Sequence, residues 1–103
     1  MIRVAARSDL APGECKPVVA GTAELALCRI GDEFYAVDNS CPHQGGPLAN
    51  GPLEGTVLTC PWHAWSFDVT TGEMPGHDRL KVRSYRVALD GDDVLVDLDG
   101  GPR

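Results

Sequence analysis

Two short knots of this 103-residue chain hold the side chains best suited to a transition metal. The first is Cys41-Pro42-His43-Gln44-Gly45-Gly46, and the second is Cys60-Pro61-Trp62-His63-Ala64-Trp65. Thiolate and imidazole are soft and borderline donors that bind iron or zinc. Each knot supplies one of each, spaced C-x-H and C-x-x-H, with sixteen residues between His43 and Cys60. A proline after each cysteine fixes the local backbone, and the glycines let the chain approach a bulky ligand closely. Three readings compete: each Cys–His pair merely packs in a loop, all four hold a structural zinc, or they share two bridged metals. Cys₂His₂ is a common zinc set. A zinc finger of that set, however, keeps its cysteines in one knot and its histidines in another. The order Cys, His, Cys, His instead suits two bridged metals, thiolates on one and imidazoles on the other.

The remaining reactive side chains are fewer. Cys15 and Cys28 stand apart among small or apolar residues and read as inert thiols. His77 lies in a Pro/Gly-rich stretch and reads as a solvated surface residue. Asp90, Asp92, Asp93, Asp97 and Asp99 form an acidic patch near the C-terminus that could steer a basic partner. Trp62, Trp65 and Tyr35 are expected to pack around the knots.

The elements that must position the knots read as β-strands. Ile2–Ala5, Lys16–Ala20, Ala23–Ile30, Phe34–Val37, Val82–Leu89 and Val94–Leu98 read as strands, and Lys16–Ala20 and Ala23–Ile30 alternate as half-buried strands do. Gly31-Asp32-Glu33 and Asp90-Gly91-Asp92-Asp93 read as hairpin turns. No stretch keeps helical spacing for ten residues, so an all-β sandwich or barrel is predicted. The segment from about 38 to 78 differs, holding most of the prolines, both tryptophans and all three histidines. With short strands at Val57–Thr59 and Trp65–Asp68, it reads as a small ordered subdomain within a single domain spanning 1–103.

Composition narrows the function. A hydrophobic fraction of 43% and a charged fraction of 23% are those of a globular domain. Nine basic against fifteen acidic residues, a net charge of −6, leave no patch to follow a phosphate backbone, so nucleic acid is not expected as a partner. No apolar run reaches the ~20 residues of a membrane span. The N-terminus has no signal-peptide pattern, and a cytoplasmic protein with no membrane partner is expected. Four cysteines in such a chain read as thiols or metal ligands rather than a disulfide framework.

The pattern Cys41-x-His43, sixteen residues, Cys60-x-x-His63 resembles the Rieske [2Fe–2S] motif. Cys60-Pro61-Trp62-His63 with Phe67-Asp68 and Thr71-Gly72-Glu73 is similar to Rieske-type ferredoxins of the soluble, low-potential branch. The resemblance implies an antiparallel β-sandwich base carrying a rubredoxin-like cluster-binding subdomain. It implies one [2Fe–2S] cluster per chain, with Cys41 and Cys60 on one iron and His43 and His63 on the other. Met74-Pro75-Gly76 resembles the proline loop that covers the cluster. Gly46 and Trp62 stand where the respiratory branch has a disulfide, and Trp65 and Phe67 where it has hydroxyl donors.

The resemblance implies a one-electron carrier rather than an enzyme. A flavin-containing NAD(P)H-dependent reductase is the expected donor, and a terminal oxygenase such as a ring-hydroxylating dioxygenase the acceptor. The face around His43 and His63, with Gln44, Pro47, Trp62 and Pro75, is the expected docking surface. Three histidines are too few for a second, mononuclear iron site beside the cluster, so the chain is not expected to be the oxygenase. The alternative is the small Rieske subunit of a larger reductase, such as assimilatory nitrite reductase.

Overall fold

A computed structural model describes residues 1–40, 47–62 and 65–98; within 77–81 only the backbone is described. Among these residues eleven strands run β1 (Ile2–Ala6), β2 (Cys15–Ala20), β3 (Ala23–Ile30), β4 (Glu33–Asp38), β5 (Leu53–Glu54), β6 (Val57–Thr59), β7 (Ser66–Asp68), β8 (Glu73–Met74), β9 (His77–Lys81), β10 (Ser84–Asp90) and β11 (Asp93–Asp97). Two single 3-10 turns, Arg7–Asp9 and Leu48–Asn50, are the only helical pieces among the described residues. The chain is all-β.

The base is a six-stranded antiparallel sheet in the order β1-β11-β10-β4-β3-β2. Strand β10 serves two neighbours. Ser84 and Tyr85 pair with β4, while Arg86–Asp90 pair with β11. The two parts share one core. Val18 and Ala20 of β2, Leu25 and Leu27 of β3, Phe34 and Ala36 of β4, Tyr85, Val94 and Val96 belong to it. Pro17 donates no ladder bond, and it lies on β2, at the edge of the sheet where that omission costs least.

Strand β3 departs from its expected half-buried pattern, and β4 shares its burial. Leu25–Cys28 and Phe34–Val37 are buried without interruption. The reason is a second core on their other face. Ala26, Cys28, Tyr35 and Val37 pack there against Leu48, Ala49, Leu58, Cys60, Phe67, Val69 and Val82. A strand covered on both faces reads as a continuous apolar run. The second core is capped by the three-stranded sheet β5-β6-β7 and the hairpin β8-β9. Val82 is no strand residue; it is buried in this core, and its N–H donates to the Gly72 carbonyl at 2.8 Å. His77 begins β9, opposite Met74, rather than lying in a loop, and Pro75-Gly76 is the turn between these strands.

Candidate metal centre

Cys60 is the one candidate ligand among the described residues; Cys41, His43 and His63 lie outside them. Register makes the second knot a hairpin end. Val57, Leu58 and Thr59 of β6 face Asp68, Phe67 and Ser66 of β7. The Thr59 and Ser66 hydroxyls share a hydrogen bond of 3.1 Å, and the Cys60 N–H donates to the Trp65 carbonyl at 2.7 Å. Cys60 and Trp65 are thereby held together. The Cys60 thiol is free of any disulfide and only 1% exposed, among Leu48, Leu58, Phe67 and Val69.

The described residues on either side of the first knot are held together as well. Ser40 and Pro47 form a β-bridge across it. Asn39, 4% exposed, binds both sides of the knot. Its carbonyl accepts the Leu48 N–H at 2.8 Å, and its side-chain Oδ1 accepts the Ala49 N–H at 2.8 Å. Its own N–H donates to the Glu24 carbonyl at 3.2 Å, and its Nδ2 to a Glu24 carboxylate oxygen at 2.5 Å. Asn39 thus joins Leu48 and Ala49, which follow the first knot in sequence, to Glu24 of strand β3. One residue earlier, Asp38 accepts the Tyr85 hydroxyl at 2.6 Å and the Arg83 N–H at 3.3 Å. Burial, then the bond to Asp38, pushes the Tyr85 phenol up from 10.0 to about 12.

Gly51 joins the knots. A Cβ on this residue would lie 1.7 Å from the Thr59 carbonyl oxygen, so the exit of the first knot runs hard against the residue before Cys60. Only glycine leaves that space. A second close approach closes the third side, where Gly72, at φ +83°, would place a Cβ 2.3 Å from the Val82 carbonyl oxygen. Asp68 shapes the turn before it, accepting both the Thr70 N–H at 2.9 Å and the Thr70 hydroxyl at 2.6 Å.

The anchors of the two Cys–His knots therefore rest on one apolar core, around a buried thiol. Iron–sulfur clusters are held by cysteine thiolates whose potential depends on burial and on hydrogen bonds to sulfur. The residues present fit such a group. The aromatic side chains divide: Tyr35 is buried, Trp65 is half-buried against the core, and Trp62, expected to pack, stands 57% exposed beside Cys60. Pro75 is exposed as well, and Gln44 lies outside the described residues. Spacing alone did not point to Asn39, Glu24 or Gly51.

Residues 1–86 match the family model of the Rieske [2Fe-2S] domain, and the chain belongs to that family. It is similar to the ferredoxin component of biphenyl 2,3-dioxygenase from Rhodococcus jostii (strain RHA1), at 37% identity over 98% of this chain and 95% of the relative. Among solved structures it is similar to the ferredoxin of carbazole 1,9a-dioxygenase from Nocardioides aromaticivorans IC177. That match has a TM-score of 0.84 at 34% identity, over 92% of this chain and 94% of the other. It is also similar to the ferredoxin in a complex of reduced oxygenase and oxidized ferredoxin of carbazole 1,9a-dioxygenase. There the TM-score is 0.82 at 35% identity, over 93% of this chain and all of the other.

Proposed function

We propose that this chain is the ferredoxin component of a multicomponent dioxygenase system. It takes electrons singly from a flavin-containing NAD(P)H-dependent reductase and delivers them to a terminal oxygenase. The observation that carries this reading is the near full-length correspondence with a dioxygenase ferredoxin component, in a chain whose three histidines leave no second iron site. A small subunit of an assimilatory nitrite reductase is the weaker reading, because the near full-length relative is the ferredoxin component of a dioxygenase system.

Cys41 and Cys60 would hold one iron, and His43 and His63 the other, of one [2Fe–2S] cluster per chain. The cluster, when bound, supplies a one-electron couple. The chain's own residues then orient and insulate it. Leu58, Phe67 and Val69 keep water from the Cys60 side, the Cys60–Trp65 backbone bond fixes the second knot, and Asn39 fixes the first. Residues 1–103 act as one domain, with the insert at about 38–78 holding the centre. No helix among the described residues is long and apolar enough to cross a membrane, and we place the carrier in the cytoplasm.

The test is reconstitution. The purified holoprotein, combined with reductase and oxygenase from the same cells, should make NAD(P)H-dependent substrate oxidation depend on its concentration. Iron and acid-labile sulfide should each amount to two per chain. Zinc without labile sulfide would sink the cluster. A cluster-bearing protein that restores no oxygenase would sink the partner assignment alone.

A further inference from the structure

Cys15 and Cys28 are not the separate thiols their sequence positions imply. Cys15 opens β2 and faces Cys28 of β3 directly across the ladder. The Arg29 N–H donates to the Glu14 carbonyl at 2.9 Å, the bond that flanks the pair. That bond places the two cysteines at a non-hydrogen-bonded site of the antiparallel ladder. There facing Cα atoms are about 4.5 Å apart and side chains come closest. A disulfide spans Cα separations of about 4.4–6.8 Å, so this site can close without moving the backbone far.

The two sulfurs differ in access. Cys28 is fully buried in the core beneath the metal centre, whereas Cys15 is half-buried against the same core. A hydrogen bond to Cys15, then burial, pushes the Cys28 thiol up, so it keeps its proton.

We propose that Cys15 and Cys28 form a reversible dithiol–disulfide site, separate from the metal ligands, which a peroxide oxidises. Cys15, the reachable sulfur, attacks one peroxide oxygen as its thiolate. The O–O bond breaks, the departing oxygen takes up a proton to leave as water, and Cys15 becomes a sulfenic acid. The Cys28 sulfur then attacks the Cys15 sulfur, the S–O bond breaks, and the departing hydroxide takes the Cys28 proton. Two thiols and hydrogen peroxide become one disulfide and two waters. Cys15 is only half-buried, and exposed disulfides are among the readily reduced ones. The product ties the edge strand β2 to β3, and a dithiol reductant releases it.

Both cysteines lie in one peptide between Arg7 and Arg29 that trypsin leaves whole at Lys16-Pro17; cleavage after glutamate separates them at Glu24. Reduced holoprotein is treated with hydrogen peroxide, its free thiols are blocked with iodoacetamide, and it is cut after glutamate. Mass spectrometry should find peptide 15–24 joined to peptide 25–33, with loss of the separate blocked peptides. Dithiothreitol should restore both. In Cys28→Ser, Cys15 should instead be trapped by dimedone as sulfenic acid. If that buried substitution fails to fold, Cys15→Ser serves, and should leave Cys28 unoxidised. Separate blocked peptides after peroxide, or a link from either cysteine to Cys41, Cys60 or a second chain, would overturn the proposal. The cluster plays no part, so its loss or retention tests the carrier reading separately.

Discussion

Burial alone does not mark Cys60 as a ligand, since Cys28 is equally buried in the same core; its place in the Cys-Pro-Trp-His knot does, and that decides the residue-scale predictions. Replacing Cys41, His43, Cys60 or His63 with Ala should each abolish the cluster, because a missing ligand opens an iron to water. Cys15→Ser should keep it. Iron and labile-sulfide assays on the purified variants decide between these. Asn39 offers a subtler test. Its side chain is the acceptor for the buried Ala49 N–H and a donor to Glu24. Asn39→Ala leaves that N–H unpaired at a cost of about 1–3 kcal/mol. Denaturant unfolding of the holoprotein should show the loss, and cluster release on dilution should quicken. Unchanged release would separate Asn39 from the first knot.

Elements place these residues through contacts that are distant in sequence. The turn Leu48–Asn50 ends on Gly51, whose α-carbon faces the Thr59 carbonyl at the end of β6. Gly51→Ala forces backbone apart next to Cys60, costing at least the 1–3 kcal/mol of ordinary overpacking. Holoprotein should therefore unfold at lower denaturant, and iron content should fall with it; Gly31→Ala, with nothing near its Cβ but φ +61°, separates steric from conformational strain. Strands β4 and β10 meet at only two paired positions, and the Tyr85–Asp38 bond reinforces them. Because the folded protein holds the Tyr85 phenol up at about 12 against 10.0 unfolded, the unfolded chain loses its proton first. That contribution is complete below about pH 10 and is lost as pH rises toward 12. Comparing urea midpoints of wild type and Tyr85→Phe across that window checks the sign. The wild type should fall more steeply.

The unequal legibility of these features has a physical basis. The Cys–His knots and the long strands are local patterns, and they stood out in the sequence. The continuous burial of β3 and β4 depends on a second core built largely from residues 48–82, which no local alternation reveals. Strands β5 and β8 have two residues each, too few for a period, and β9 is recognisable only from its pairing with β8. The Asn39–Glu24 bond and the Gly51–Thr59 contact join positions well apart in the chain, so neither the latch nor the obligatory glycine had a local signal.

At the scale of the whole molecule, the acidic turn lies away from the end of β4 that leads into the first knot. β10 runs from Ser84, opposite Val37 near the end of β4 that precedes the first knot, to the acidic turn Asp90–Asp93 about 20 Å away, at ~3.3 Å per residue. Asp32 and Glu33 reach the same end, where they line a cleft with Val87 and Leu89. At physiological ionic strength the Debye length is about 8 Å, so this acidic end barely touches the potential of the centre. What sets it is close at hand. Hydrogen bonds to cluster or ligand sulfur stabilise the added electron and raise the potential. Phe67, fully buried in the core with Cys60, has no donor, and Trp65 has only an indole N–H. Nor can Gly46 and Trp62 join the knots with a disulfide. The midpoint should therefore fall near the low end of the family's span, about −150 mV rather than about +300 mV. A reduced flavin can then fill the carrier, and a quinol cannot be its donor. Phe67→Tyr adds one hydroxyl on the face Phe67 shares with Leu58 and should move the midpoint upward. Redox titration followed by visible absorbance measures both proteins. A wild-type midpoint above about +100 mV, within that same span, would contradict the low-potential carrier and point to a respiratory role.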